Sequence, residues 1–130
     1  MSTQNADRRK ERDASRRRAF ETLYEASVRR EAPAPPDDPA AAALVEAVDS
    51  GYEELVSLIE PRLKAGWRFD RLTLPERLIL LLGTAELVAT DRGTSGVIAA
   101  WTRFADLYGE PASHRFVNAV LVNLAGARPA

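Results

Sequence analysis

The chain has 130 residues, 45% of them hydrophobic and 28% charged, with a formal net charge of −1, the size and balance of one globular domain able to bury a real core. With no cysteine and one histidine, His114, it excludes a disulfide framework, a thiol nucleophile, and a thiolate or multi-histidine metal site. No apolar run approaches the ~18 residues that span a bilayer, and the start MSTQNADRRKERD has no apolar centre of a secretory signal, so the cytoplasm is the expected compartment.

Charge is distributed unevenly along the chain. Residues 8–18 read RRKERDASRRR, whereas residues 31–60 carry Glu31, Asp37, Asp38, Glu46, Asp49, Glu53, Glu54 and Glu60 without a Lys or Arg. Residues 1–7 are polar and are expected to be disordered. From Arg8 to Arg30 there is no Pro or Gly, which predicts one helix. Its second half carries an apolar stripe at Phe20, Leu23, Tyr24 and Val28. Its first half carries Arg9, Arg12 and Arg16 on one side at i, i+3 and i+7. The reading is a helix that docks by its C-terminal half and offers a basic, solvated N-terminal half, frayed until a partner binds.

Four prolines in residues 32–39, APAPPDDP, make that stretch a linker. Asp37 or Asp38 caps the next helix, with Pro39 in its first turn. Leu44, Val48, Tyr52, Leu55 and Ile59 form its stripe, Gly51 weakens it, and Pro61 kinks or ends it. Leu63 is expected to continue into a short helical turn before Gly66. Thr73, Pro75 and Glu76 spell an N-cap, a first-turn proline and a capping box. The run Leu78 to Leu82 is apolar all round, which predicts a buried central helix ending near Thr90, before a turn at Asp91-Arg92-Gly93. Ser95 is the candidate cap of the following helix, whose buried face is Val97, Ile98, Trp101, Phe104, Ala105 and Tyr108; Gly109 stops it. The last helix opens at Pro111-Ala112-Ser113, carries Phe116, Val117, Val120, Leu121 and Leu124, and ends at Gly126, with residues 127–130 frayed. No strand pattern occurs. The fold class is all-α, about five or six helices in a bundle-like array, as one domain over residues 8–126.

The chain has no Gly-rich phosphate loop, no HExxH and no GxSxG, so no catalytic residue and no cofactor is expected and the protein reads as a non-enzyme. The carboxylate pairs Asp37–Asp38 and Glu53–Glu54 are sequence neighbours, about 100° apart on a helix, and do not converge. His114 reads as a residue beside a helix start. Trp101 reads as core; Trp67, in a connection, is open between core and a base-stacking surface. The segment from Arg8 to Arg18 is the one functional candidate. Guanidinium groups make planar, bidentate phosphate contacts, and a basic helix end releases counterions from RNA with a steep salt dependence.

The C-terminal half carries specific motifs. Leu72-Thr73-Leu74-Pro75-Glu76-Arg77-Leu78-Ile79-Leu80 resembles the "L-x-x-x-E-R-x-I-L" helix start of the NusB family of transcription antitermination factors, and Ala85-Glu86-Leu87 resembles its "Y-E-L". Ser113-His114-Arg115-Phe116-Val117-Asn118-Ala119-Val120-Leu121 is similar to its "S-x-(K/R)-F-V-N-G-V-L". Arg16 followed by Leu23-Tyr24 resembles its arginine-headed first helix. The resemblance implies a NusB-like helical bundle of about five to seven helices. It implies binding of boxA-type single-stranded RNA together with the ribosomal protein NusE, within the RNA polymerase antitermination complex. It carries RNA contact to Arg9, Arg12, Arg16, Arg17 and Arg115, and partner contact to Tyr24 and Glu86. Membrane binding is not implied, and a homodimer that hides the RNA face is left open.

The sequence also departs from the family pattern. Asp13 and Ala14 interrupt the arginine cluster, the stretch from Tyr24 to Leu44 is short by about a helix and proline-filled, and the family's "I-N-E-A" is Ile98-Ala99-Ala100-Trp101. These departures keep a second reading open: a protein–protein regulator or scaffold that kept the fold and lost RNA. A third, the accessory domain of an rRNA cytosine methyltransferase, would expect a catalytic domain after Ala130.

Overall fold

The structure is a computed structural model that describes residues 2–89 and 94–127. Among these residues there are five α-helices and no strand: α1 (Ser2–Arg29), α2 (Pro39–Ile59), α3 (Leu74–Ala89), α4 (Thr94–Tyr108) and α5 (Ser113–Ala127). Two 3-10 turns, Glu60–Arg62 and Phe69–Arg71, lie in the α2–α3 connection. The expected turn at Asp91-Arg92-Gly93 and the tail from residue 128 lie outside the described residues.

Local signals place most helix ends. The Asp38 side chain accepts from Ala40 N at 3.1 Å at the start of α2, with Pro39 in the first turn. Thr73 and Glu76 close a reciprocal capping box before α3: Thr73 N donates to Glu76 Oε1 at 3.0 Å and Glu76 N to Thr73 Oγ1 at 3.3 Å. Gly51 leaves helical geometry (φ −107°, ψ 17°) and kinks α2, and the proline-containing turn at Glu60–Arg62 ends it. Several ends differ from expectation. α1 begins at Ser2, so residues 2–7 are helical where a disordered start was expected. Leu63 is extended and buried rather than helical, and the turn beyond it closes at Gly66 with φ +86°. Ser95 lies inside α4, which already includes Thr94, and α5 runs one residue past Gly126.

α3 is the central element and touches all four other helices. Every residue from Leu78 to Ala85 is buried, and so is Leu87, because a helix apolar all round has no face to leave in water. Around it pack Ala19, Phe20 and Leu23 of α1, Val45, Val48, Leu55 and Ile59 of α2, Trp101 and Phe104 of α4, and Val117, Leu121 and Leu124 of α5. The stripes are narrower than their periodicity suggests. Tyr24, Val28, Tyr52 and Tyr108 continue them but stay exposed. Among the described residues no helix is long and apolar enough to cross a membrane.

At Gly83, α3 packs closely against α5 and α4. A Cβ there would meet the two Leu121 methyl carbons at 3.1 and 3.2 Å and the Trp101 ring at 3.4 Å. Gly83→Val is therefore expected to force these fully buried neighbours apart and to lower the unfolding free energy by about 1–3 kcal/mol. Chemical denaturation measures this; a variant as stable as the wild type would mean the three helices do not meet there.

Candidate nucleic-acid interface

α1 divides at residues 13–16. Residues 3–12 are all exposed, so Arg8, Arg9, Lys10 and Arg12 stand on a stretch of helix that overhangs the bundle. Arg17 and Arg18 are exposed one turn further on. Among the described residues, none of these six cations is in an ion pair, unlike Arg16, Arg29, Arg68 and Arg103.

Arg16 is different from its neighbours. It is only 5% exposed, because it precedes Phe20 by four residues and Leu23 by seven and so lies on the core-facing stripe. Its Nε and Nη2 bind both oxygens of Glu86 on α3 at 2.9 and 2.6 Å, and its Nη1 binds Asp13 Oδ1 at 2.8 Å. Glu86 Oε1 also accepts from Trp101 Nε1 at 2.9 Å, and Asp13 Oδ2 from Arg103 Nη2 at 3.0 Å. Burial pulls the Arg16 pKa down, but the hydrogen bonds and charges of Glu86 and then Asp13 outweigh it and hold the pKa above the ordinary guanidinium value. Next to this network, Ser15 Oγ donates to Asp38, the residue that caps α2. Residues 13, 15 and 16 thus tie α1 to α4, α2 and α3, forming a collar at the base of the overhang.

The structure therefore separates the expected RNA contacts. Arg9, Arg12 and Arg17 are exposed on α1, whereas Arg16 is turned inward onto Glu86. Glu86, expected on a partner surface, has its side chain only 19% exposed and faces Arg16 and Trp101. Tyr24 is on the surface: 41% exposed, it packs beside Phe20, whose other side stacks on Tyr108 at 4.9 Å. With Val28 and Leu107, also exposed, these tyrosines give the protein apolar surface at the C-terminal ends of α1 and α4.

Arg115 is exposed at the start of α5, at the other end of α3. There, Trp67 and Phe116 meet edge to face at 5.7 Å and line a cleft of about 520 Å³ with Arg68, Arg71 and Ser113. Trp67 is 47% exposed and lines the cleft beside Arg71 and Arg68, the latter paired with Asp70, and an exposed aromatic ring beside arginines is suited to stacking a base and holding its phosphate. Arg68 and Arg71 were not singled out from the sequence, because the connection that brings them to Phe116 crosses between helices. The cleft floor explains two of the motifs. Glu76, 7% exposed, takes its capping-box contact with one oxygen and accepts from Ser113 Oγ with the other, while Ser113 Oγ accepts from Glu110 N at 2.8 Å. The glutamate of one motif and the serine of the other thus lock the starts of α3 and α5 together. Asn118 donates to Thr102 at 3.3 Å, a helix-packing amide, and His114 Nδ1 lies 3.6 Å from Asp106. Among the described residues no group of three or more His, Asp or Glu could hold a metal ion.

A central apolar helix wrapped by four others, with a basic helical arm rooted in a buried ion-pair network, defines an all-helical bundle protein. The sequence model of the NusB family matches residues 3–126, and the chain belongs to that family. It is 36% identical over 87 residues to the transcription antitermination protein NusB of Lacticaseibacillus casei, covering 66% of this chain and 64% of that one. It is 34% identical over 82 residues to that of Pediococcus pentosaceus, covering 63% and 62%; the chain thus spans less than two thirds of these relatives' length. The solved structure of T. maritima NusB has the same fold, with a TM-score of 0.78 at 22% identity, covering 92% of this chain and 93% of that one.

Proposed function

We propose that this protein is a cytoplasmic RNA-binding antitermination factor that takes boxA-type single-stranded RNA together with the ribosomal protein NusE, as part of the RNA polymerase antitermination complex. The observation that carries this reading is the overhang of α1, where Arg8, Arg9, Lys10 and Arg12 face water without a carboxylate partner among the described residues. Unpaired cations on a helical rod are free to neutralise phosphates, with release of counterions. Trp67, Arg68, Arg71 and Arg115 supply a second contact where a base can stack. Glu76, under the cleft, and Glu86, at the root of the arm, are ten residues apart on α3, about 15 Å along the axis, the axial separation that one RNA strand would bridge. Tyr24 and Tyr108 offer NusE an apolar surface away from both.

A gel-shift titration with boxA RNA, with and without NusE from the same organism at two salt concentrations, tests this. The expected result is binding strengthened by NusE, weakened by salt, and lost in Arg9→Glu/Arg12→Glu. The alternative of a regulator without RNA is favoured by Ala99, which is exposed where the family motif carries a polar side chain. NusE bound at full affinity with no RNA shift at either salt would select that alternative.

A further inference from the structure

Arg16 and Glu86 lie in the network at the root of the basic overhang of α1. Among the described residues, the hydrogen bonds and ion pairs that hold the N-terminal half of α1 to the bundle gather at this network and at Ser15 beside it. Residues 3–12 are exposed throughout, and the three ties to the bundle fall at Asp13, Ser15 and Arg16. An isolated helix of some ten residues is marginal in water, since nucleating the first turn is costly, whereas adding turns to an existing helix is easy. A helix already fixed at residues 13–16 supplies that nucleus, so the overhang extends from it as helix and its arginines keep a fixed spacing.

We infer that Asp13 and Glu86 are positioning residues for RNA: two carboxylates that raise affinity for a polyanion by pinning the root of the basic arm. The inference rests on the RNA reading above and gives it an unexpected sign. By simple electrostatics, each carboxylate near a phosphate-binding helix repels RNA, so removing one tightens binding. Removing Glu86 also frees the Arg16 guanidinium, which tightens binding further if Arg16 is itself an RNA contact. By the collar, removing either acid lets the arm fray. Affinity then falls by the fraction of molecules whose arm is helical. Arg103 belongs to the same device: half exposed, it reaches Asp13 from α4 and fixes the side on which the arm leaves the bundle.

The test uses the full chain and a fluorescein-labelled boxA-type single-stranded RNA, with affinity read by anisotropy. The variants are Glu86→Gln, Asp13→Asn and the conservative Asp13→Glu. Backbone chemical shifts of the free proteins report the helix population of residues 8–12. Glu86→Gln and Asp13→Asn are expected to bind about five- to tenfold more weakly, with residues 8–12 shifted toward coil and residues 19–28 unchanged. Asp13→Glu restores both readouts. Asp13 lies at the edge of the core with its side chain 24% exposed, so its variants fold even if Glu86→Gln does not. Equal or tighter binding by Asp13→Asn, with residues 8–12 still helical, would overturn the inference. Failure of the wild type to bind the RNA would sink the RNA reading instead, and the chemical shifts would then decide by themselves whether the collar orders the arm.

Discussion

Replacing Arg16 by methionine is expected to destabilise the protein by about 3–5 kcal/mol, the cost of removing one partner from a buried ion pair. Set against a total stability of about 5–15 kcal/mol for a domain, this is enough to leave the variant partly unfolded at physiological temperature. The damage lies in what remains. Glu86 would keep one hydrogen bond, from Trp101 Nε1, and lose the two from Arg16 that neutralise it. The double variant Arg16→Met/Glu86→Gln is expected to recover much of the loss. Glutamine carries no charge to strand and still offers an oxygen to the Trp101 indole, which is fully buried and otherwise left without an acceptor. Asp13 retains Arg103 in either variant. Thermal melts of the two single variants and the double, read as a mutant cycle, measure the coupling. An Arg16→Met protein that melts with the wild type would mean the guanidinium is solvated and available for RNA after all.

That pair also shows what the sequence discloses and what it withholds. The capping box of Thr73 and Glu76, the cap at Asp38 and the kink at Gly51 are legible because their causes act within four residues. The central place of α3 is legible because an all-apolar helix has nowhere else to go. Arg16 stands in a basic run, where charge reads as surface. Yet its spacing to Phe20 and Leu23 placed it on the buried stripe, and Glu86 is the one charge in the apolar stretch from Leu78 to Ala89. A lone acid in a core helix demands a buried cation, and that demand was the available signal. What no local rule supplies is where a stripe stops being covered. Tyr24 and Tyr52 follow the helical period as faithfully as Leu23 and Val48, and only packing shows that the tyrosines remain in water. The link from Glu76 to Ser113 spans 37 positions. Each residue was noted in its own motif, but their meeting is a consequence of how α3 and α5 start side by side.

The second large effect separates the two halves of the proposed interface by their response to salt. Trp67→Ala is expected to weaken RNA binding by about 1–3 kcal/mol, the worth of one stacked base, and to leave the slope of affinity against salt unchanged, because no cation is removed. Arg12→Gln removes a phosphate contact and is expected to reduce that slope by about 0.7 for a single strand, with a smaller loss at high salt than at low. Stability does not confuse the comparison. Trp67 is about half exposed and meets Phe116 edge to face, and Arg12 has no ion-pair partner among the described residues. Both variants should therefore melt close to the wild type. Parallel loss of affinity in the two, with the same change in slope, would mean the cleft and the arm do not grip different parts of one strand. An unchanged Trp67→Ala affinity beside a weakened Arg12→Gln would confine RNA to the arm and leave the cleft as the packed junction of α3 and α5. With both effects present, the binding energy divides between a stacking contact insensitive to ions and a phosphate contact governed by them. The protein's affinity would then persist at salt concentrations that strip a simple basic helix from RNA.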